Sequence, residues 1–138
     1  MKAIKINQIK NTIFYGNKVF LKKLKKVKPS SNYLSWMRDS QVNRYLESRN
    51  EKVTIKSINN FIRASNKNSN IIFYGIFTND LEKNHVGNIK IDINWYHKFC
   101  TFGYLLGEQK KYKRKGLISE VLMLSIYVLG LMFQDKRL

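Results

Sequence analysis

Residues 110–130, KKYKRKGLISEVLMLSIYVLG, constrain this chain more than any other stretch: five Lys or Arg crowd before one glycine, and an apolar run follows. The run from Leu117 to Phe133 is interrupted by Ser119, Glu120, Ser125 and Gly130 and falls short of the roughly 18 to 20 clean apolar residues a membrane span needs. It reads as a buried helix, with Leu117, Val121, Leu124, Val128 and Leu131 on one face at steps of four, three, four and three. A helix start leaves backbone N–H groups unpaired and carries partial positive charge, so a phosphate placed there gains hydrogen bonds and electrostatic attraction together. Lys110, Lys111, Lys113, Arg114 and Lys115 would add side-chain cations, and Gly116 would permit close backbone approach or an unusual dihedral. Spacing alone fits a solvated helix end equally well.

Composition bounds the rest. With 138 residues and 43% hydrophobic content, residues 1–138 form one domain with a real core. A formal charge of +17 points to an anionic partner such as a phosphate-rich ligand, nucleic acid or anionic lipid. Most of that charge is Lys, and it comes with abundant Asn and Ile, a mixture that an AT-rich genome produces without selection for binding. Nucleic acid is therefore the lesser expectation. The single Cys100 cannot form an internal disulfide, and no Cys or His cluster has metal-ligand spacing, so a reducing, cytoplasmic setting without structural metal is expected. The opening MKAIKINQIKNTIFYG alternates polar and apolar residues and lacks the apolar core of a signal peptide.

Periodicity supplies a coarse element order. NKVFLKKLKKVK alternates Val19, Leu21 and Leu24 against Lys and reads as a half-buried strand closed by Pro29. In SSNYLSWMRDSQVNRYLESR, Ser30 or Ser31 can cap a helix, and the spacing predicts two short helices broken near Asp39 and Ser40. Thr54 caps a cleaner helix with Ile55, Ile58, Phe61 and Ile62 on one stripe, ended by NKNSN. NIIFYGIFTND and HVGNIKIDINW, joined by the polar LEKN, predict a hairpin, and KFCTFGYLLGEQ a third strand of the same sheet. The order predicts an α/β (α+β) domain in which an antiparallel meander feeds a strand–turn–helix.

YKRKGLISE, after a strand ending in YLLGEQ, resembles the acetyl-CoA motif of the GCN5-related N-acetyltransferase (GNAT) superfamily: Gln or Arg, two variable residues, Gly, one residue, then Gly or Ala. YLSWMRDSQVNRYLESR, the Thr opening TIKSINNFI, HVGNIKIDINWYH and YLLGEQ follow in the order of the branch resembling ribosomal-protein and nucleotide-sugar acetyltransferases, over residues 18–133. The resemblance implies a GNAT-like mixed sheet with flanking helices. It also implies acetyl transfer from acetyl-CoA to a primary amine, on an amino sugar nucleotide or a protein N-terminus. Leu105, Leu106 and Gly107 would lie along the pantetheine arm, and Lys113, Arg114, Lys115, Gly116, Leu117 and Ile118 around the phosphates.

Lys113 stands where the motif has Gln or Arg, Arg114 where it often has Gly, and Ile118 where it ends in Gly or Ala, so crowding of the phosphates is an expectation. Family members continue with a fifth strand and a later helix, so the chain is expected to be C-terminally incomplete, with a sheet edge open to a homodimer partner. Relatives often carry a carboxylate where Thr101 stands; His97 and Asp92 are the candidate bases here. Trp36, Tyr45 and Arg49 fall in the segment resembling the acceptor-binding lid. Core packing serves Trp36 and Tyr45 as well, and a solvated charge serves Arg49. The alternatives are an inactive, truncated acetyltransferase and a basic anion- or nucleic-acid-binding module.

Overall fold

The β-branched and aromatic runs pair as their alternation predicts. The computed structural model describes residues 2–28, 31–38, 53–107, 109–112 and 115–133. In it β1 (Phe14–Tyr15), β2 (Val19–Lys23), β3 (Ile71–Thr78), β4 (His85–Asn94) and β5 (Phe99–Leu106) form a sheet in that order. Every neighbouring pair is antiparallel. The turn between β3 and β4 is tied by Asp80, whose Oδ1 accepts hydrogen bonds from the Lys83 N–H at 3.0 Å and the Thr78 hydroxyl at 2.9 Å. Those bonds hold its carboxyl below the usual range.

Five helices are described: α1 (Lys2–Lys10), α2 (Tyr33–Arg38), α3 (Ile55–Lys67), α4 (Gln109–Tyr112) and α5 (Leu117–Phe133). None is long and apolar enough to cross a membrane. α1 and α5 cover one face of the sheet, where Val19, Leu21, Ile72, Ile76, Ile89 and Ile91 form the main core. α2 and α3 cover the other, around Trp36, Ile58, Ile62, Phe73 and Leu105.

α3 starts where Thr54 predicts. The Thr54 hydroxyl accepts from the Ser57 N–H at 3.1 Å, and the Ser57 hydroxyl oxygen accepts from the Thr54 N–H at 2.9 Å, a reciprocal capping box. It ends inside NKNSN at Lys67, where Lys10 reaches across from α1 and its Nζ donates to the carbonyls of Asn66 at 3.0 Å and Asn68 at 2.7 Å. Burial and the nearby Lys23 hold the Lys10 ammonium below its ordinary pKa.

Three expectations need correction. The N-terminal segment alternates on paper, yet Ile6 and Ile9 bury side by side and make α1 part of the main core. On α5 the buried line is Leu117, Val121, Ser125, Val128 and Met132, while Leu124 and Leu131 are only half-buried. Ser125 fits inside because its hydroxyl donates to the Val121 carbonyl at 2.8 Å, which satisfies it within the helix. Asn32, not Ser31, is the N-cap of α2, its carbonyl accepting from the Trp36 N–H at 3.0 Å, while the Ser31 hydroxyl one residue before accepts from the Tyr33 N–H at 3.1 Å. The second helix expected after Ser40 lies outside the described residues.

Candidate functional site

β5 delivers the chain through α4, pinned by the buried Tyr112, to the first turn of α5. Gly116 precedes that turn with φ of +77°, a left-handed conformation that L side chains rarely adopt. The first bond of α5 runs from the Glu120 N–H to the Gly116 carbonyl at 3.3 Å, so the Leu117, Ile118 and Ser119 N–H groups have no partner within the helix. Lys18 and Lys115 stand exposed at this mouth, and the Lys18 ammonium donates to the Lys115 carbonyl at 3.0 Å. Glu120 Oε1 accepts from the N–H groups of Lys18 at 2.7 Å and Val19 at 2.9 Å, latching the β1–β2 turn to the helix start. The side chains of Leu117 and Ile118 pack onto the main core, so what they offer a ligand is backbone. Lys113 and Arg114 lie outside the described residues.

Where β5 ends, its side chains divide. Leu105 joins the cluster under α2 and α3, and Leu106 joins the main core. Gly107 follows, its N–H donating to the Val86 carbonyl at 2.8 Å. A side chain at Gly107 would overlap the indole of Trp36, so ring and backbone meet directly.

Around that meeting lies a group of residues that periodicity did not reveal. His85 Nε2 is 3.1 Å from Asn88 Oδ1, and with this amide orientation the imidazole donates. Its ring packs against Phe77 at 5.1 Å, Trp36 at 5.2 Å and Tyr33 at 5.9 Å between centroids. Burial holds the imidazolium below its ordinary pKa, against the opposing pull of its bonds to Asn88 and Gly87. Burial likewise pushes the Tyr33 phenol up, partly offset by its bond to Asn88. Three residues apart on a strand, His85 and Asn88 should face opposite ways. A register shift beside Ile76 and Phe77 pairs Gly87 with Ile76 and His85 with Phe77, so His85 turns to the Asn88 side while Val86 stays in the main core.

One atom in this group is unsatisfied. Trp36 is 4% exposed, and among the described residues its Nε1 is the one buried side-chain polar atom without a hydrogen-bond partner. Leaving a buried donor unpaired costs about 1–3 kcal/mol, which asks for an explanation.

The two candidate bases lie elsewhere. His97 is exposed in the β4–β5 turn, its N–H donating to Asn94 Oδ1 at 2.8 Å and its ring against Tyr96 and Phe99. That turn and Gly107 stand at opposite ends of β5, on the order of 25 Å apart by strand rise. Asp92 pairs across the strands with Thr101 and lies 3.8 Å from the Lys90 ammonium. It helps line an open cleft of about 460 Å³ with Asn70, Asn94, Tyr96, Phe99 and Thr101. Tyr45 and Arg49 lie outside the described residues. Trp36 packs in the core as well as bordering Gly107.

Fold and site define an α/β domain in which an antiparallel meander ends in a glycine turn and a helix mouth suited to an anion. No family model matches the chain, and no curated protein matches it. Solved structures do. The crystal structure of a GNAT-family acetyltransferase from Bacillus anthracis superposes with a TM-score of 0.63 at 17% identity, covering 90% of this chain and 68% of that one. A second crystal structure, of a protein assigned as an acetyltransferase, gives 0.59 at 17% identity, covering 89% of this chain and 61% of that one. The chain thus spans about two thirds of the first protein's length and less of the second's. At this identity the likeness is one of architecture: the chain has the fold of GNAT acetyltransferases.

Proposed function

We propose that this chain is an N-acetyltransferase that moves the acetyl group of acetyl-CoA to a primary amine. The observation that carries the reading is the left-handed Gly116 at the mouth of α5, which the chain reaches from the last strand of the sheet through α4. Acetyl-CoA, when bound, supplies a thioester activated toward attack by a neutral amine. The N–H groups of Leu117, Ile118 and Ser119, with Lys18 and Lys115, bind its phosphates. The backbone along Leu105, Leu106 and Gly107 receives the amide-bearing arm, and Gly116 lets the turn approach without a side chain in the way.

The acceptor amine belongs in the cleft beside Asp92. There Asn70, Asn94 and Thr101 offer polar contacts and Tyr96 and Phe99 ring faces, a lining suited to an amino sugar or a peptide N-terminus. Of the two candidates Asp92 faces into this cleft from within the sheet, but opposite Thr101 it stands on the order of 13 Å by strand rise from Leu105, so it would take the amine's proton only through intervening water. A cytoplasmic setting agrees with the lone, unpaired Cys100. A homodimer would pair the open edge of β5, whose Phe99, Phe102 and Tyr104 are exposed.

Calorimetric titration with acetyl-CoA at moderate salt tests the reading, comparing Gly116→Asp with Gly116→Asn. Both variants carry the same backbone strain, and only Asp sets a negative charge against the phosphates. Micromolar binding by the native chain, at least tenfold weaker in the Asp variant than in the Asn variant, is expected. Equal affinity in the two variants, or no binding at all, contradicts it. A second reading, a basic anion-binding module, draws on the exposed Lys22, Lys25, Lys26 and Lys28. It calls for duplex DNA binding that falls steeply with salt and ignores Gly116.

A further inference from the structure

The unpaired Trp36 donor has a location that suggests its partner. Among the described residues, the acceptor-bearing side chains in its cluster each serve another bond. Asn88 Oδ1 takes the His85 Nε2 proton, and the Tyr33 hydroxyl is bonded to Asn88. The indole packs edge-on against His85 at 5.2 Å between centroids, in a cluster that also holds Leu105 and, partly buried, Phe77. The indole is also held firmly, stacked on Tyr33 with centroids 6.0 Å apart and seated on Gly107, where any side chain would displace it. A rigid donor with no internal acceptor, set against the last backbone of β5, is preorganised for an acceptor that arrives with a ligand.

We propose that Trp36 positions the acyl donor, its indole N–H donating to a carbonyl oxygen of the acetyl-CoA arm at the end of β5. This rests on the acetyl-CoA reading above and assigns Trp36 to the donor side of the site, where the resemblance alone had put it with the acceptor. The arm carries two amide carbonyls and the thioester carbonyl, all hydrogen-bond acceptors, whereas the nucleotide end carries none that would reach an apolar enclosure. Trp36 therefore discriminates between ligands with and without the arm, and the helix mouth at Gly116 does not.

Two ligands and two variants test this. Acetyl-CoA and adenosine 3′,5′-bisphosphate, which lacks the arm, are titrated into the native chain and into Trp36→Phe, which keeps an aromatic ring and removes the donor. Acetyl-CoA affinity should fall about tenfold in the variant, the worth of one hydrogen bond to a buried donor, while bisphosphate affinity stays unchanged. Unchanged acetyl-CoA affinity overturns the assignment. The chain has two tryptophans, so Trp95→Phe leaves Trp36 as the sole indole and gives a readout that does not depend on how Trp36→Phe folds. Its emission should shift saturably with acetyl-CoA and stay flat with the bisphosphate. A flat emission while calorimetry registers acetyl-CoA binding overturns the Trp36 assignment alone. Absence of any acetyl-CoA binding by the native chain overturns the acetyltransferase reading and this inference with it.

Discussion

On the face under α1 and α5, the sheet presents Val19, Leu21, Ile72, Ile89 and Ile91, all fully buried and aliphatic, whereas the face under α2 and α3 gathers Tyr33, Trp36, Phe77, His85 and Asn88. Each face encloses an aromatic side chain with a single polar handle, and the two are treated differently. The Tyr74 hydroxyl, in the main core, donates to the Ile9 carbonyl at 2.6 Å and so ties α1 to the sheet. The Trp36 N–H, under α2, has no such partner. Dry aliphatic packing with every polar atom satisfied maximises stability. A cluster that leaves a donor open gives up some of that stability, and under the proposed acetyl-CoA reading it separates a structural face from a binding one on the same five strands.

Mutation on each face should sharpen that division. Ile91→Ala, in the middle of the main core, should destabilise the fold by about 3 kcal/mol in urea denaturation through lost burial and the cavity left behind. The affinity of the folded fraction for acetyl-CoA should not change. A large loss of affinity there would break the division between the faces.

The smaller effect is one of pH and belongs to the other face. His85 has its folded pKa held below the ordinary 6.5, so the unfolded chain takes the proton first. Its contribution to stability is fully present above that value and is lost as pH falls from it toward the folded pKa. Thermal denaturation followed from pH 7.5 to pH 5 should show the decline, and His85→Gln should flatten it. An unchanged slope in that variant would remove His85 from the linkage.

Much of the fold was legible because short-range chemistry specified it. Thr54 announces a capped helix, and the alternating Ile89, Ile91 and Ile93 announce a half-buried strand. α1 was not, since its few apolar residues do not favour a helix on their own; burial of Ile6 and Ile9 and the reach of Lys10 to α3 hold it in place. Nor was the buried line of α5 fully legible, because a serine bonded back to its own helix packs where leucine was expected.

For the site, Gly116 was readable as a backbone position because only glycine readily takes the conformation found there. The joining of His85 to Asn88 was not readable, because a bulge breaks the two-residue alternation on which strand reading depends. Trp36 was visible as an aromatic in a helix. That its donor is left open depends on Gly107, seventy-one positions along the chain, and on side-chain bonds that no local pattern encodes.

The most direct measurement is an acetyl-CoA titration of the isotopically labelled chain followed by amide and indole nuclear magnetic resonance. The expected result is saturable shifts at the backbone amides of Gly116, Leu117 and Ile118 and at the Trp36 indole, with Ile72 and Ile91 in the main core unmoved. Shifts spread over Lys22, Lys25, Lys26 and Lys28, with none at the helix mouth or at Trp36, would contradict the division of the sheet into a structural and a cofactor-binding face.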